Sequence, residues 1–231
     1  MKIPHMTVQE PPVLARRIVQ NLEDAIIYGE IPGGTHLTEE TVCQMTGCSR
    51  SPVREALRLL EKDGLAVRVP RRGFRISELS VEELDDLYVC RISLEMTAAK
   101  LAAEKGTDAE LEAIRQAHLA CARKLEQDDL RGHFKANVEM SECIFAASHN
   151  RSLSRLLNSI HKQSLRYRYA AYEQSRTIRV KSVENNAKFV ELITARDAKA
   201  AAKQARKSIE TTHSVIRNCL LSAVNEADTT G

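Results

Sequence analysis

The apolar positions of the first third of the chain recur at helical spacing in three short runs. Leu14, Ile18, Leu22, Ala25 and Ile26 share one face and predict an amphipathic helix that stops before Pro32-Gly33. A second, shorter helix is predicted with Thr38 as its N-cap, Val42 and Met45 inward and its end at Gly47. The third run is Ser49-Arg-Ser-Pro-Val-Arg-Glu-Ala-Leu-Arg-Leu-Leu-Glu-Lys-Asp-Gly64, with Val53, Ala56, Leu57 and Leu60 as its buried stripe. Ser49 or Ser51 caps it, Pro52 is tolerated in the first turn, and Gly64 ends it. The period then changes from helical to alternating. Leu65-Ala-Val-Arg-Val-Pro and Gly73-Phe-Arg-Ile-Ser read as two short strands around the basic turn Arg71-Arg72-Gly73. Three helices followed by a hairpin is the order of a winged helix-turn-helix.

Beyond residue 78 the punctuation vanishes. The early part has turn signals at Pro11-Pro12, Pro32-Gly33-Gly34, Gly47, Gly64, Pro70 and Gly73. The remainder has no Pro, and only Gly106 and Gly132 precede the last residue. Ala, Leu, Glu, Lys and Arg dominate it, so the pattern predicts helix throughout. Ser80-Val-Glu-Glu83 reads as the capping box that opens it. The expected organisation is therefore mainly α, with a winged helix-turn-helix over 1–78 and an all-helical domain over 79–231. Composition agrees. With 43% hydrophobic and 28% charged residues the chain is not disordered, and 4% aromatics without Trp argue against filling a β-sandwich.

The formal net charge of +3 identifies no partner, so the distribution of charge has to decide. From Ser49 to Arg75 there are eight basic side chains against three acidic ones, although 1–78 as a whole holds 11 against 10. The positive charge thus gathers on the third helix and the hairpin. Arg50 and Arg54 stand four apart on one face at the helix N-terminus, placed to bond guanine edges or phosphates. On pattern alone a solvated face paired with Glu55 and Glu61 remains the competing reading. Six Cys at 43, 48, 90, 121, 143 and 219 form no CxxC pair. They are expected to be apolar fillers in a reducing cytoplasm, without a structural zinc site. No apolar leader and no membrane-length segment is seen, so neither export nor a membrane partner is expected. No nucleophile elbow, Walker loop, dinucleotide fingerprint or HExxH occurs, which rejects an enzyme.

At Gly33-Gly-Thr-His-Leu37 and across Ser49 to Leu65 the sequence closely resembles the GntR family of bacterial transcription regulators. That resemblance implies DNA contact through Arg50 and Arg54, with Ser49, Ser51, Arg71, Arg72 and the wing-tip Gly73 beside them. It also implies a dimer on an inverted-repeat operator in double-stranded DNA, most often repressing until a metabolite binds. One departure stands on the second helix: where the family often has a DNA-reaching Arg, this chain has Glu40, and an acid repels phosphate.

The second half resembles the FCD-type effector domain of the FadR subfamily, most like its VanR branch. The similarity rests on Arg91-Ile-Ser-Leu-Glu95, Ile144-Phe-Ala-Ala-Ser-His-Asn150 and Ile193-Thr-Ala-Arg-Asp197. It implies an antiparallel bundle of about six helices that dimerises around a central pocket. In the family that pocket commonly holds a metal on one Asp and three His. Counting from Asn150 and Asp197, those positions fall here on Asn137, Ser141, Asn186 and Ser208. All four ligands are replaced by neutral residues, so the resemblance leads to an expectation of no metal cofactor. A small anionic or polar metabolite would then meet Asn137, Ser141, Asn186 and Ser208 directly, with Arg91 supplying charge. A metal-responsive or ligand-independent DNA-binding dimer of the same fold is the alternative. His118, His133, His149, His161 and His213 miss the ligand positions and are read mostly as surface or helix-end residues. The run Arg166-Tyr-Arg-Tyr-Ala-Ala-Tyr172 is read as an ordinary helix face, with a pocket wall as the less favoured reading.

Overall fold

A computed structural model describes residues 13–229, and the side chains of 14–222. The turn signal at Pro11-Pro12 lies outside the described residues. The chain divides into two compact units, Met1–Glu78 and Leu79–Gly231.

In the first unit, helix α1 covers Val13–Ile27, strand β1 His36–Leu37, α2 Glu39–Thr46, α3 Arg50–Lys62, β2 Ala66–Val69 and β3 Gly73–Ile76. Helix α2 starts where Thr38, in extended backbone, accepts the Thr41 amide at 3.0 Å, and stops at the left-handed Gly47. Ser49 is the N-cap of α3, although its side chain makes no capping bond. One apolar core joins the elements: Ile18, Leu22 and Ile26 of α1 meet Val42 of α2 and Val53, Leu57 and Leu60 of α3. Phe74 and Ile76 of β3 close it. Two expected core residues are instead outside. Leu14 is exposed because Ala15, fully buried, takes the inward place one turn ahead of Ile18 and Val19. Met45 is exposed because α2 is only two turns long and buries Val42 alone.

The hairpin pairs β2 with β3 antiparallel, Val67 opposite Arg75. A third strand joins it: β1 pairs with the other edge of β3, Leu37 opposite Phe74. The sequence pattern misses β1 because two residues show no alternation. This pairing explains Gly73. Its φ is +85°, and a Cβ there would stand 2.6 Å from the Leu37 carbonyl oxygen.

The second unit consists, among the described residues, of six helices: α4 Val81–Lys105, α5 Asp108–Glu126, α6 Leu130–Ala147, α7 Arg151–Gln174, α8 Arg176–Thr194 and α9 Ala198–Thr229. Ser80 caps α4 by accepting the Glu83 amide at 3.0 Å. The return half of that expected box is not made, because the Glu83 carboxylate accepts from the Tyr167 hydroxyl at 2.8 Å instead. The reciprocal box forms one helix later, between Thr107 and Glu110. Helix α4 packs along α9. One core, with Ala98, Ala102, Ile114, Phe145, Leu157, Phe189 and Ile193, fills the centre. A smaller one gathers Leu84, Tyr88, Tyr167, Ile209 and Ile216 from α4, α7 and α9. No described helix is long and apolar enough to cross a membrane.

The Gly73 contact gives a direct comparison with Gly29, whose φ is +75° but whose Cβ would meet nothing within 4 Å. Gly29→Ala is expected to cost about 1–2 kcal/mol through backbone strain alone. Gly73→Ala should cost more, because the methyl group also meets a backbone oxygen. Urea unfolding of the two variants checks this, and equal losses would mean that the β1–β3 approach is not what requires glycine.

Candidate functional site

Two places collect the residues singled out by the sequence. In the first unit a concave surface runs between the start of α2, the exposed side of α3 and the wing. Arg50, Arg54 and Arg58 of α3 line it together with Arg68, Arg71, Arg72 and Gly73. All six arginines are exposed, as are Ser49 and Ser51 at the head of α3. Arg71 holds a left-handed backbone at φ 63°, which turns the wing tip. Arg54 does not pair with Glu55 or Glu61. It forms a two-pronged bond to Glu39 of α2, Nε to Oε1 at 2.7 Å and Nη2 to Oε2 at 2.9 Å. The Arg54 hydrogen bond, with Arg50 and Arg58 nearby, holds the Glu39 carboxyl below its ordinary range. Glu40 is exposed on the same concavity.

The second unit holds a partly open cavity of about 80 Å³ lined from α4, α6, α7, α8 and α9. Arg91, Asn137, Ser141, Asn186 and Ser208, five residues from four helices, all face it. Helical spacing accounts for part of this, since Asn137 and Ser141 stand one turn apart on α6. Among the wall residues three are ionic: Arg91, Glu95 and Arg168. Arg91 is 5% exposed, donates from Nε to Glu95 at 2.7 Å, and lies 4.6 Å over the Tyr88 ring. Burial opposes its charge, but the adjacent Glu95 and the Tyr88 phenol outweigh that, and its pKa is raised. Its Nη1 has no hydrogen-bond partner, and neither has the buried Nδ2 of Asn186.

Arg168 and His161 were not expected here. Arg168 is 4% exposed on α7; its Nη2 donates to Asn137 Oδ1 and its Nη1 bonds His161 Nε2 at 3.3 Å. His161 is also buried, edge-on to Phe145 at 5.5 Å. Burial first, then the charges of Arg168 and Arg91, push its pKa well below the ordinary histidine value. The ring is therefore neutral near pH 7, with Nε2 as the acceptor for Arg168. Tyr172 completes this wall through its hydroxyl, 2.6 Å from Ser182.

These findings change three readings. The Arg166–Tyr172 run is a pocket wall at Arg168 and Tyr172, because a helix buried on several sides has no purely solvated face. His133 is fully buried, bonding the Cys121 carbonyl through Nδ1 at 2.9 Å, so it and His161 are not surface residues. His149, by contrast, does sit at a helix end and bonds Glu110. Of the cysteines, Cys121 is buried and its thiol pKa is pushed up to about 12 by burial, whereas Cys90 is exposed. The signal that pointed to Arg168 was present: two arginines and three tyrosines in seven residues are unusual on an ordinary wet helix face.

Comparison with known proteins matches the two units separately. A family model described as bacterial regulatory proteins, gntR family, matches residues 14–76, and the FCD domain model matches residues 86–211. The chain is 32% identical over 148 residues to the uncharacterised HTH-type transcriptional regulator YdhC of Bacillus subtilis (strain 168). That match covers 61% of this chain and 63% of YdhC, so less than two thirds of that relative. It is 32% identical over 130 residues to an HTH-type transcriptional regulator of Agrobacterium vitis, covering 55% of this chain and 76% of that one. Among solved structures, Escherichia coli McbR/YncC superposes with a TM-score of 0.80 at 19% identity, covering 90% of this chain and 98% of the other. At that identity the likeness concerns the fold.

The buried imidazole predicts a pH dependence. Because the folded pKa of His161 lies below the unfolded one, the unfolded chain binds more protons between the two values. Stability is then fully present above the unfolded pKa and falls as pH drops toward the folded one. Unfolding measured from pH 7 to 5 should lose stability with a slope of up to about 1.4 kcal/mol per pH unit from this group. His161→Gln should flatten the slope by that amount. His133, lowered by burial as well, contributes with the same sign and remains in the variant.

Proposed function

The chain belongs to the gntR family of bacterial regulatory proteins and carries an FCD domain, and on that premise we propose that it is a repressor released from its operator by a small anion. Its coarser identity, a DNA-binding transcription regulator and not an enzyme, follows from the family. The finer reading concerns how it binds and what it answers to. The observation that carries the first part is the concave arginine face. A helix N-terminus bearing Arg50 and Arg54 suits the major groove, and Arg68, Arg71 and Arg72 on the wing suit the flanking phosphates. The Arg54 fork is taken by Glu39 in the free protein, and because the pair is exposed, DNA can displace the carboxylate at little cost. Ser49 and Ser51 at the same helix end are placed for phosphate oxygens. One such unit reads only a few base pairs, so the operator is an inverted repeat occupied by a homodimer.

The second part rests on the cavity. Its wall joins the residues that stand where the family holds a metal, yet the donor set does not suit one. Asn137, Ser141, Asn186 and Ser208 are neutral, and Asn137 Oδ1 is already taken by the Arg168 guanidinium. The lone carboxylate, Glu95, is bound to Arg91. Among the described residues no group of three or more His, Cys, Asp or Glu is placed to hold a metal ion. A divalent cation would have to sit beside two guanidiniums. Such a cavity favours an anion bound directly by hydrogen-bond donors.

Two outcomes are expected. Arg50→Ala and Arg54→Ala should each weaken operator binding by about 1–3 kcal/mol and relax preference at one base position, with the fold intact by circular dichroism. Sedimentation of the complex should give two chains per operator, and unchanged affinity in both variants would remove α3 from the interface. Arg91→Ala should abolish the anion's release of operator DNA while sparing DNA affinity without it. A stoichiometric zinc or nickel content in native protein would overturn the metal-free reading.

A further inference from the structure

We infer that Arg168, rather than Arg91, supplies the charge the cavity offers its ligand, and that this ligand is a small monocarboxylate; the inference rests on the reading of the cavity as an effector site.

The argument begins with charge balance. The cavity wall holds two guanidiniums, Arg91 and Arg168, and one carboxylate, Glu95. Glu95 is committed to Arg91 at 2.7 Å, side chain against side chain on one helix turn. Among the described residues Arg168 is bonded only to neutral groups, the Asn137 side-chain oxygen and the unprotonated His161 Nε2. Guanidinium stays protonated under all relevant conditions, so one positive charge is left at 4% exposure without a counter-ion. An ion taken out of water without a partner is costly, and a partner that completes it strengthens binding in proportion. Within the wall no second acid offers itself. The counter-charge therefore comes with the ligand, and a single net charge calls for a single carboxylate.

Donor positions support the same class. A carboxylate has two oxygens with about four acceptor sites. The cavity supplies Arg91 Nη1 and Asn186 Nδ2, both buried and unpartnered. Ser208 offers a hydroxyl close by, itself accepting from Gln204 at 3.2 Å. A second negative charge on the ligand would face Glu95 with no cation left to meet it. Size sets the rest. About 80 Å³ is roughly half the 150 Å³ of an apolar cavity that holds benzene, which suits a ligand of only a few non-hydrogen atoms. Its short alkyl end can rest against Ile144 and Phe189, the apolar part of the wall.

The test uses the full chain and four probes at constant ionic strength: propionate, its neutral isostere propionamide, succinate and inorganic phosphate. Affinity is read by calorimetry and by the rise in unfolding temperature. Propionate should bind one per chain, with propionamide, succinate and phosphate each about tenfold weaker or more. Arg168→Gln should weaken propionate roughly 30-fold or more, and Arg168→Lys should restore part of it. Should Arg168→Gln fail to fold, the propionate-to-propionamide ratio in the unaltered protein decides. Equal binding of those two, undiminished binding by a folded Arg168→Gln, tighter binding of succinate or phosphate, or no binding of any probe overturns the inference. Ser208→Phe, which fills the cavity, separates this failure from that of the underlying reading. Propionate binding that Ser208→Phe abolishes but Arg168→Gln leaves intact keeps the effector cavity and removes Arg168. Binding that survives Ser208→Phe places the ligand elsewhere and removes both.

Discussion

Of the four arginines buried in the helical bundle among the described residues, two, Arg91 and Arg168, share one cavity with a single carboxylate, and that pairing constrains the second unit. Burial of an ion is costly unless its donors find partners, and both arginines here bond side chains from specific places, with Arg91 Nη1 left unpartnered. Arg91 takes Glu95 from the next turn of α4 and the face of Tyr88. Arg168 takes Asn137 from α6 and His161 from its own helix. Asn137 is the partner that ties two helices: α6 cannot slide past α7 without breaking the Arg168–Asn137 bond, and His161 must stay neutral for its ring nitrogen to accept. The polarity of the cavity is part of how the bundle is specified, since each buried polar group calls for a partner in a set place.

The contrast with the first unit is one of dielectric. Arg54 and Glu39 form a bond of better geometry than either buried pair, yet Arg54 is half exposed and water screens it. Exposed pairs of this kind contribute little to stability. That makes the Arg54 clamp easy to exchange for a base edge or a phosphate. Nothing comparable holds for Arg168, whose partners lie out of water. One residue type therefore serves two ends. On the surface it is a mobile charge that water screens, and in the bundle it is a fixed one held out of water.

How much of this was legible beforehand depended on how local the determining physics was. The three helices and the hairpin of the first unit were readable because caps, Gly stops and hydrophobic period lie within a few residues of what they control. The start of α2 at Thr38 and its end at Gly47 are of that kind. Strand β1 was not legible, since its pairing with β3, His36 opposite Arg75 and Leu37 opposite Phe74, joins distant residues through two amino acids that carry no pattern of their own. Leu14 lost its predicted place to Ala15 for a similar reason, as the direction of the buried stripe is set by α3 and not by α1. That the second unit is helical followed from composition, and its count of about six helices from the resemblance. Which of their faces meet did not.

The cavity itself lies between those extremes. Arg91, Asn137, Ser141, Asn186 and Ser208 were reached through a resemblance, and they do surround one space. That resemblance could not reveal Arg168, because position 168 on α7 and position 137 on α6 stand 31 residues apart and are related only in three dimensions. Asn137 is the link. A carboxylate at that position would neutralise Arg168 and leave the cavity without net positive charge, while the amide accepts the same hydrogen bond and leaves the charge in place. Exchanging an acid for its amide alters the volume very little and the electrostatics by a full unit. The uncharged residue at position 137 is therefore what allows the cation at 168 to act on anything other than its own neighbour.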